Sequence, residues 1–297
     1  MIASKSSSDR IYLAFVYIIL TFVFIITFYP FWNILVLSLN SAEDTVRGGI
    51  YLWPRVINFS SYVQIMQDQE ILNGIKITVL RTLIGTPLAL AVISLLAFAL
   101  SKKELVGGRI ITIFFIFTMY FGGGLIPYYM ILKNVHLIDS FLVYIFPNLM
   151  NVFFVIIVRT FMQELPIEVE ESAKMDGAND IQIFWQIILP ICVPVLVTIG
   201  LFSAINHWNS WFDSYVFTYK PNLKTLQAVL VKILNQYQTE SFTSSASQMA
   251  DSSKRNAVSS DTIRMAATMV ATLPIIMVYP FLQRYFVKGM TLGAVKS

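Results

Sequence analysis

Long apolar stretches with few charged residues constrain this chain more than any other feature of its sequence. The hydrocarbon core of a bilayer is about 30 Å thick, and an α-helix needs about 20 mostly apolar residues to cross it. Backbone polar groups inside lipid must be hydrogen-bonded within the protein, which favours helices. We therefore predict an all-α membrane protein with about six transmembrane helices, over residues 11–39, 72–100, 110–132, 140–158, 187–205 and 262–282.

The composition supports a membrane protein. Of the 297 residues, 56% are hydrophobic and 13% are charged, and the mean hydropathy is +0.68. Soluble domains carry about 25% charged residues, because their surfaces face water. The net charge of +4 could indicate nucleic-acid binding in a soluble protein. Here the basic residues flank apolar stretches, as membrane topology requires, so we expect a lipid bilayer and no nucleic acid as a partner.

Two further features bear on processing and redox chemistry. Lys5 and Arg10 precede the first apolar stretch, as in a signal peptide, but the stretch continues to Leu39 without a small-residue cleavage site. We therefore predict a retained helix. The single cysteine, Cys192, excludes an intramolecular disulfide and offers no metal-ligand cluster. We expect it to pack in the apolar interior.

Basic residues in the short connections predict which side of the membrane each segment occupies. They cluster on one side, as Lys5, Arg10, Lys102, Lys103, Arg109, Arg159, Lys174, Arg284, Lys288 and Lys296. The opposite short connection holds only Lys133. Since such residues mark the cytoplasmic side, both termini, the segment 159–186 and a tail 283–297 are predicted there. The hydrophilic segment 206–261 is then an extracellular loop.

The cytoplasmic segment between the fourth and fifth spans carries most of the polar chemistry. Pro166 is suited to a helix start, and the three glutamates just after it favour the positive end of a helix dipole. Gly177 is a plausible helix stop. We predict a short helix, a turn, and a second helix with Phe184 and Ile187 on one face. Such a pair of helices can form a protruding docking surface for a soluble partner.

This segment resembles the signature loop of ABC importer permeases, Glu-Ala-Ala…Gly…Leu-Pro. The match begins at Glu171, has Ser172 where the motif has an alanine, and closes with Leu189-Pro190. In that family the loop is the coupling helix that docks in a cleft of an ATPase subunit. The resemblance therefore implies an ATPase-coupling role for Glu171, Ser172, Ala173, Met175, Asp176, Gly177, Ala178, Phe184, Leu189 and Pro190.

The resemblance extends over most of the chain, through residues 118–127, 207–213, 279–283 and 288–296. These residues are similar to carbohydrate-uptake permeases related to the smaller maltose permease subunit, and more so to the lipoprotein-type or complex-polysaccharide subgroup. The resemblance implies a type I importer fold in a bacterial plasma membrane, working with a second homologous permease, two ATPase subunits and an extracellular solute-binding protein. The implied cargo is a saccharide.

ATP chemistry is expected on the partner subunits. The sequence has no Gly-x-x-x-x-Gly-Lys-Ser/Thr loop, so we expect no catalytic residue, no metal site and no cofactor in this chain, with ATP and Mg on the ATPases. The run Gly122–Gly124 indicates a helix break or close packing instead. By resemblance the tail contacts the ATPases through Lys288, Gly289, Gly293 and Lys296, although a disordered stub fits the sequence equally.

Several residues are candidates for the solute path. Lys76 and Arg81 lie near the outer end of the second span, and a basic residue at the bilayer centre costs about 2.5–3.5 kcal/mol. Both should snorkel, pair with another helix, or face a wet cavity, where they would favour an anionic saccharide. Tyr120, Tyr128 and Tyr129 are candidate donors or packing residues. Trp208, Trp211 and Phe212 could contact the binding protein or a sugar, or anchor the chain at the membrane interface.

Other classes of protein fit the sequence less well. A secondary transporter would place coupling-ion carboxylates inside its spans, which are poor in them. An intramembrane enzyme would need converging ligands, and the only histidines, His136 and His207, have no second ligand at helical spacing. The closer alternative is the same machine with a peptide, an amino acid or a phosphorylated solute as cargo.

Overall fold

The computed structural model describes residues 7–244 and 260–294. These ranges are helical and contain no β-strand, only an antiparallel bridge between Asn40 and Ile57. The first helices are α1 Ser7–Ser38, α2 Ala42–Arg47, α3 Ser60–Gln67, α4 Gln69–Ser101, α5 Gly108–Tyr120 and α6 Leu125–Asn134. The later helices are α7 Val152–Gln163, α8 Ile167–Met175, α9 Asp180–Ile191, α10 Val193–Asn209, α11 Phe212–Phe217, α12 Leu226–Ser244 and α13 Ser260–Ala294.

Helix length and hydropathy identify the candidate membrane spans. Three segments are long and apolar enough alone, namely Arg10–Ser38, Gln69–Ser101 and Asp261–Val278. Three pairs qualify together but are bent, by 115° between α5 and α6, by 42° before α7 and by 79° between α9 and α10. If each bent pair crosses once, the described residues contain six spans. This number agrees with the number predicted from the sequence.

The chain divides into two compact units, Met1–Asp68 with Lys232–Leu273 and Gln69–Val231 with Pro274–Ser297. In the first unit, the connection after α1 folds back along the end of that helix. The indole Nε1 of Trp32 donates a hydrogen bond to the carbonyl oxygen of Leu52 at 2.8 Å. The Oδ1 of Asn40 accepts the backbone N–H of Val56 at 3.0 Å. These bonds hold the connection in one conformation.

In the second unit, α4 is the central helix and packs against α7 and α10. The main apolar core lies where these helices meet α8 and α9. Its buried members are Ala89, Ile93, Ala97, Phe98, Leu100, Phe154, Val155, Val158, Met162, Ala173, Ile183, Phe184, Ile188, Cys192 and Ile199. The predicted packing role of Cys192 is confirmed. Because lipid is as apolar as these side chains, close packing rather than hydrophobic burial holds such helices together.

Glycines allow α4 to approach α10 closely. A Cβ atom added at Gly200 would lie 3.0 Å from Cδ1 of Leu90. One added at Gly85 would lie 2.6 Å from two ring atoms of His207. Both contacts are shorter than the usual separation of nonbonded carbon atoms, about 3.5–4.0 Å. The absence of a side chain at these two positions therefore sets the distance between the helices.

A smaller apolar cluster lies near the N-terminal end of α4 and contains Ile77, Leu132, Val143, Tyr144 and Phe217. Asp139 borders this cluster with a backbone φ of 60°. Its Oδ1 accepts hydrogen bonds from the backbone N–H groups of Tyr219 and Lys220, each at 2.9 Å. The N–H groups of Lys220 and Tyr219 lower the pKa of the Asp139 carboxyl from its ordinary value. Asp139 thereby links the turn before Phe141 to the turn after α11.

The stretch 110–132 is not one continuous helix, because the predicted interruption at the glycine run is present. Helix α5 ends at Tyr120 and α6 begins at Leu125, with a bend of 115°. Gly124 has a φ of +83°, in the left-handed region that favours glycine. A Cβ atom added at Gly122 would meet nothing within 4 Å. The glycines therefore break the helix, and nothing in the described part of the chain packs closely against Gly122 or Gly124.

The stretches 140–158 and 187–205 also differ from simple helices. The first begins as two 3-10 turns, Phe141–Tyr144 and Phe146–Asn148, and becomes α-helical only at Val152. The second starts inside α9, which contains a π-helical turn over Ile183–Ile188, and bends near Cys192. Proline lacks a backbone N–H and disrupts helical hydrogen bonding. Prolines in the second 3-10 turn and on both sides of Cys192 account for these departures.

The segment 206–261, predicted as a loop, is largely helical where it is described. It contains the end of α10, all of α11, a 3-10 turn at Pro221–Leu223 and α12. The start of α12 is buried, through Leu226, Ala228, Val229 and Leu230. The prediction missed these elements because the average polarity of the segment conceals short apolar runs. The segment 283–297 continues α13 as far as Ala294.

Candidate functional site

The segment with the signature residues folds as two helices joined by a tight turn. Helix α8 follows Pro166, and Gly177 ends the turn after it with a φ of +83°. Asn179 begins α9 with a capping box, since its Oδ1 accepts the N–H of Gln182 at 2.9 Å and its own N–H donates to Oε1 of Gln182. The predicted start, stop and second helix are therefore present.

The signature residues separate into a buried face and an exposed face. Ala173 and Phe184 lie in the main apolar core. Met175, by contrast, is 87% exposed. The other exposed members are Glu171, Ser172, Asp176, Gly177 and Pro190, and Ala178 and Leu189 are half-buried. Helix α8 thus offers a contiguous surface with an acidic and a thioether side chain, while its other side is fixed to the protein.

Helix α8 is tied to the C-terminal end of α4. Lys102 forms an ion pair with Glu170, and its Nζ lies 4.2 Å from the ring centroid of Phe98. The Phe98 ring in turn packs against Phe184, with centroids 5.1 Å apart. These contacts link α4, α8 and α9 through both charge and packing. A displacement of α8 would therefore be transmitted to α4.

This arrangement assigns different roles to the neighbouring glutamates. Glu170 is engaged by Lys102, whereas Glu171 forms no ion pair within the described part of the chain. The sequence did not predict a role for Lys102. Its position at the end of a span, on the same side as an acidic helix, was the available signal for such a pair.

A cavity of about 470 Å³ lies between α4, the start of α7, and the α10–α11 turn. Such a volume falls within the range of about 300–1,000 Å³ typical of small-ligand sites. Its polar lining residues are Arg81, Asn148, Asn151, Ser203, Asn206, His207, Asn209 and Ser210. Its aromatic lining residues are Phe154, Trp211 and Phe212. Side chains from separate parts of the sequence thus form one polar space inside the second unit.

Arg81 is paired with an acidic residue. The guanidinium donates from Nη1 to Oδ1 of Asp213 at 3.1 Å and from Nη2 to Oδ2 at 2.6 Å. Its Cζ lies 4.6 Å from the ring centroid of Tyr144, and the side chain is 1% exposed. The carboxylate of Asp213 also accepts a hydrogen bond from the Ser210 hydroxyl at 2.9 Å. Arg81 therefore both lines the cavity and pairs between helices.

The sequence predicted neither this partner nor the amides around the cavity. Asp213 is an isolated acidic residue within an aromatic run, which was the available signal for a buried partner. The amides come from the 3-10 turn Phe146–Asn148, the start of α7 and the end of α10, and only the fold brings them together. The pairing of Arg81 with Asp213 could not be predicted from the sequence either, because the two residues are far apart along the chain.

The other candidate path residues lie outside this cavity. Lys76 is exposed, and Tyr120 is 77% exposed. Tyr128 packs edge-on against Phe217, and the Tyr129 hydroxyl lies 2.8 Å from that of Tyr219. None of them lines the cavity, and their role in a solute path stays a prediction.

The aromatic candidates line two different pockets, and three of the four tail candidates lie in a helix. Trp211 and Phe212 line the polar cavity, whereas Trp208 lines a separate apolar pocket of about 300 Å³ in the same unit. Lys288, Gly289 and Gly293 belong to α13, whereas Lys296 lies outside the described residues.

Apolar helices long enough to span a membrane, together with a polar cavity between helices of the second unit, are features of a solute permease. Comparison with known families agrees with this class. The sequence model described as "Binding-protein-dependent transport system inner membrane component" matches residues 1–292. The chain belongs to this family of permeases.

Individual relatives refine the comparison. The chain is 33% identical over 291 residues to the polygalacturonan/rhamnogalacturonan transport system permease protein YtcP of Bacillus subtilis, covering 97% of this chain and 99% of that protein. It is 33% identical over 273 residues to protein LplC of the same organism, covering 92% and 90%. Among solved structures, a chain of a bacterial ABC transporter involved in the import of the acidic polysaccharide alginate aligns with a TM-score of 0.84 and 30% identity, over 95% and 99% of the two chains. The predicted importer permease fold is confirmed.

Proposed function

We propose that this chain is a translocating permease subunit of an ATP-driven, binding-protein-dependent importer of oligosaccharides or polysaccharide fragments. The family match and the saccharides named for its relatives support this function. The chain works in a bacterial plasma membrane with both termini in the cytoplasm. A second homologous permease, two ATPase subunits and an extracellular solute-binding protein complete the machine. ATP and Mg bind to the ATPases.

The single observation that carries the coupling part of this proposal is the two-sided geometry of α8. Its exposed face presents Glu171 and Met175, and its buried face is fixed to α4 through Glu170 and Ala173. Glu171 forms a charge-assisted contact with a basic group on the ATPase, a type of hydrogen bond about twice as strong as a neutral one. Closure of the ATPases pulls α8, and α8 moves α4. Because α4 lines the cavity, ATP-driven motion reaches the solute path.

Exposed apolar helices support a second permease as partner. The apolar window of α1 has no buried residue, and α5 has none either. Long apolar helices of this kind require lipid or another apolar helix around them. The second permease covers part of this surface, and lipid covers the remainder.

The relatives favour acidic saccharides as cargo. Polygalacturonan and alginate, named for two of the relatives, are polymers of uronic acids. We propose fragments of an acidic polysaccharide as the solute, delivered by the binding protein. A peptide or an amino acid is the alternative cargo for the same machine.

The test is ATP hydrolysis by the complete complex in lipid, measured with binding proteins carrying defined solutes. Oligogalacturonides, neutral oligosaccharides and short peptides are compared, with unloaded binding protein as the control. We expect several-fold stimulation by saccharide-loaded protein and the greatest stimulation with an acidic oligosaccharide. Stimulation by a peptide-loaded protein alone would contradict the proposed cargo.

A further inference from the structure

The polar cavity presents amides and aromatic rings rather than free charge. Among its described lining residues, Arg81 is the one charged side chain, and both of its terminal nitrogens donate to Asp213. The Ser210 hydroxyl and the Ser214 backbone N–H also donate hydrogen bonds to Oδ1 of Asp213, at 2.9 and 2.8 Å, and hold its carboxylate in place. A carboxylate ligand could form a bidentate pair with these two nitrogens only by displacing Asp213. Separating a buried ion pair is strongly unfavourable, so the cavity is poorly suited to bidentate recognition of a carboxylate by Arg81.

The amides, by contrast, have unused hydrogen-bonding groups. The side chains of Asn206 and Asn209 make no hydrogen bond within residues 7–244 and 260–294. Asn148 uses its Nδ2 for the Tyr144 carbonyl, which leaves its Oδ1 open, and Asn151 uses only its Oδ1, for the Phe154 N–H. Each asparagine side chain has two N–H donors and one acceptor oxygen. The lining therefore offers both donors and acceptors to a ligand.

Two buried nitrogens beside the same cavity also have no hydrogen-bond partner in the described part of the chain. They are Nδ1 of His207 and Nε of Arg81, and both side chains are at least 96% buried. Buried polar atoms are usually hydrogen-bonded, and exceptions often have a functional reason. Unsatisfied groups of this kind at the edge of a polar cavity indicate that the space is completed by a hydrogen-bonding solute or by water.

We propose that this cavity is a sugar-binding site of the permease. The asparagine amides bind the hydroxyl groups of one glycosyl unit, and the face of the sugar ring packs against Trp211. The inference rests on the proposed function and adds the site and the groups recognised. A hydroxyl group both donates and accepts a hydrogen bond, which matches an amide. Apolar and aromatic walls with a few oriented polar groups are typical of small-ligand sites. The carboxylate of an acidic sugar is recognised elsewhere in the machine.

The test uses the complete complex in proteoliposomes with a binding protein loaded with a labelled oligogalacturonide. The double variant Asn206→Ala/Asn209→Ala removes the two amides that have no protein partner. Each lost hydrogen bond costs about 0.5–1.5 kcal/mol and 1.4 kcal/mol is tenfold, so the loss of two should lower uptake by about fivefold to a hundredfold. ATP hydrolysis stimulated by the binding protein should stay within about twofold of the wild type, because the coupling segment is unchanged. Asn134→Ala, an exposed asparagine at the end of α6 outside the cavity, is the matched control.

A second arm tests which chemical groups the cavity recognises. Uptake is repeated with carboxyl-reduced fragments of the same length, using a binding protein that accepts both. The double variant should lose the same factor for the acidic and the reduced sugar. A loss confined to the acidic sugar would show that the cavity reads the carboxylate and would overturn the proposal.

The possible outcomes separate this inference from the proposed function. If the wild-type complex takes up no saccharide, the proposed function fails and the sugar site fails with it. If the wild type transports saccharide and the double variant transports it equally fast, only the cavity assignment fails. If the double variant lowers the amount of assembled complex instead of the uptake per complex, the asparagines form a subunit contact, and the inference is wrong.

Discussion

At the scale of single residues, the cavity depends on a buried positive charge that is paired with a negative one. Arg81 is 1% exposed and would be costly inside a membrane protein without a partner. Asp213 supplies that partner, and the aromatic ring of Tyr144 adds a favourable contact to the guanidinium. By contrast, the ion pair between Lys220 and Asp139 lies at the surface, since the lysine side chain is 61% exposed. Burial decides how much each pair contributes.

The first prediction concerns these two ion pairs. Asp213→Ala leaves a buried guanidinium unpaired and should destabilise the protein by about 3–5 kcal/mol. Lys220→Ala removes an exposed pair and should cost about 0–1 kcal/mol. Thermal unfolding of the purified complexes measures both. Equal melting temperatures for the two variants would show that the Arg81–Asp213 pair has no special role.

The second prediction concerns the close approach of α4 to α10. Gly85→Ala would place a Cβ atom 2.6 Å from the His207 ring, and overpacking of this kind costs about 1–3 kcal/mol. The double variant Gly85→Ala/His207→Ala should recover part of that loss, because the two sites are in contact. At Gly123 an added Cβ would have its nearest contact at 3.7 Å, so Gly123→Ala should be tolerated. Melting curves that show additive effects of Gly85→Ala and His207→Ala would contradict this interpretation.

At the scale of elements, the α8–α9 segment is the part of the candidate site that the sequence predicted best. Pro166, the glutamates and Gly177 are local signals, and each acts within one helical turn of its own position. The π-helical turn at Ile183–Ile188 was not predicted, because the nearby Pro190 indicates a disturbed helix but not the type of turn that results. π-helical turns occur frequently at functional sites. Here the turn lies between the exposed surface and the spans that line the cavity.

The third prediction tests the link between α8 and α4. Lys102→Glu places two acidic side chains together in place of the Lys102–Glu170 pair and should weaken the transmission of force from α8 to α4. We expect less solute imported per ATP hydrolysed. The charge swap Lys102→Glu/Glu170→Lys should restore part of this ratio, since the pair is reformed. If the swapped variant remains as poorly coupled as Lys102→Glu, the ion pair is not the relevant link.

At the scale of the whole molecule, the number of spans could be predicted and their shape could not. Span number follows from bilayer thickness and the apolar content of about 20 residues, and both are visible in the sequence. Breaks at prolines and at the glycine run are partly visible, but their angles, such as the 115° between α5 and α6, depend on packing. The cavity depends on contacts between distant segments, so Asn148, Asn206 and Asp213 could not be grouped from sequence alone.

The central claim is that an ATPase drives this permease through the exposed face of α8. The most direct measurement is solute uptake and ATP hydrolysis by the reconstituted complex, for the wild type and for Glu171→Lys. We predict that the variant inserts and assembles normally but loses at least tenfold in uptake per ATP, because the charge of its contact is reversed. Glu164→Lys, an exposed charge reversal before α8, should leave coupling intact. Normal uptake and coupling by Glu171→Lys would contradict the account.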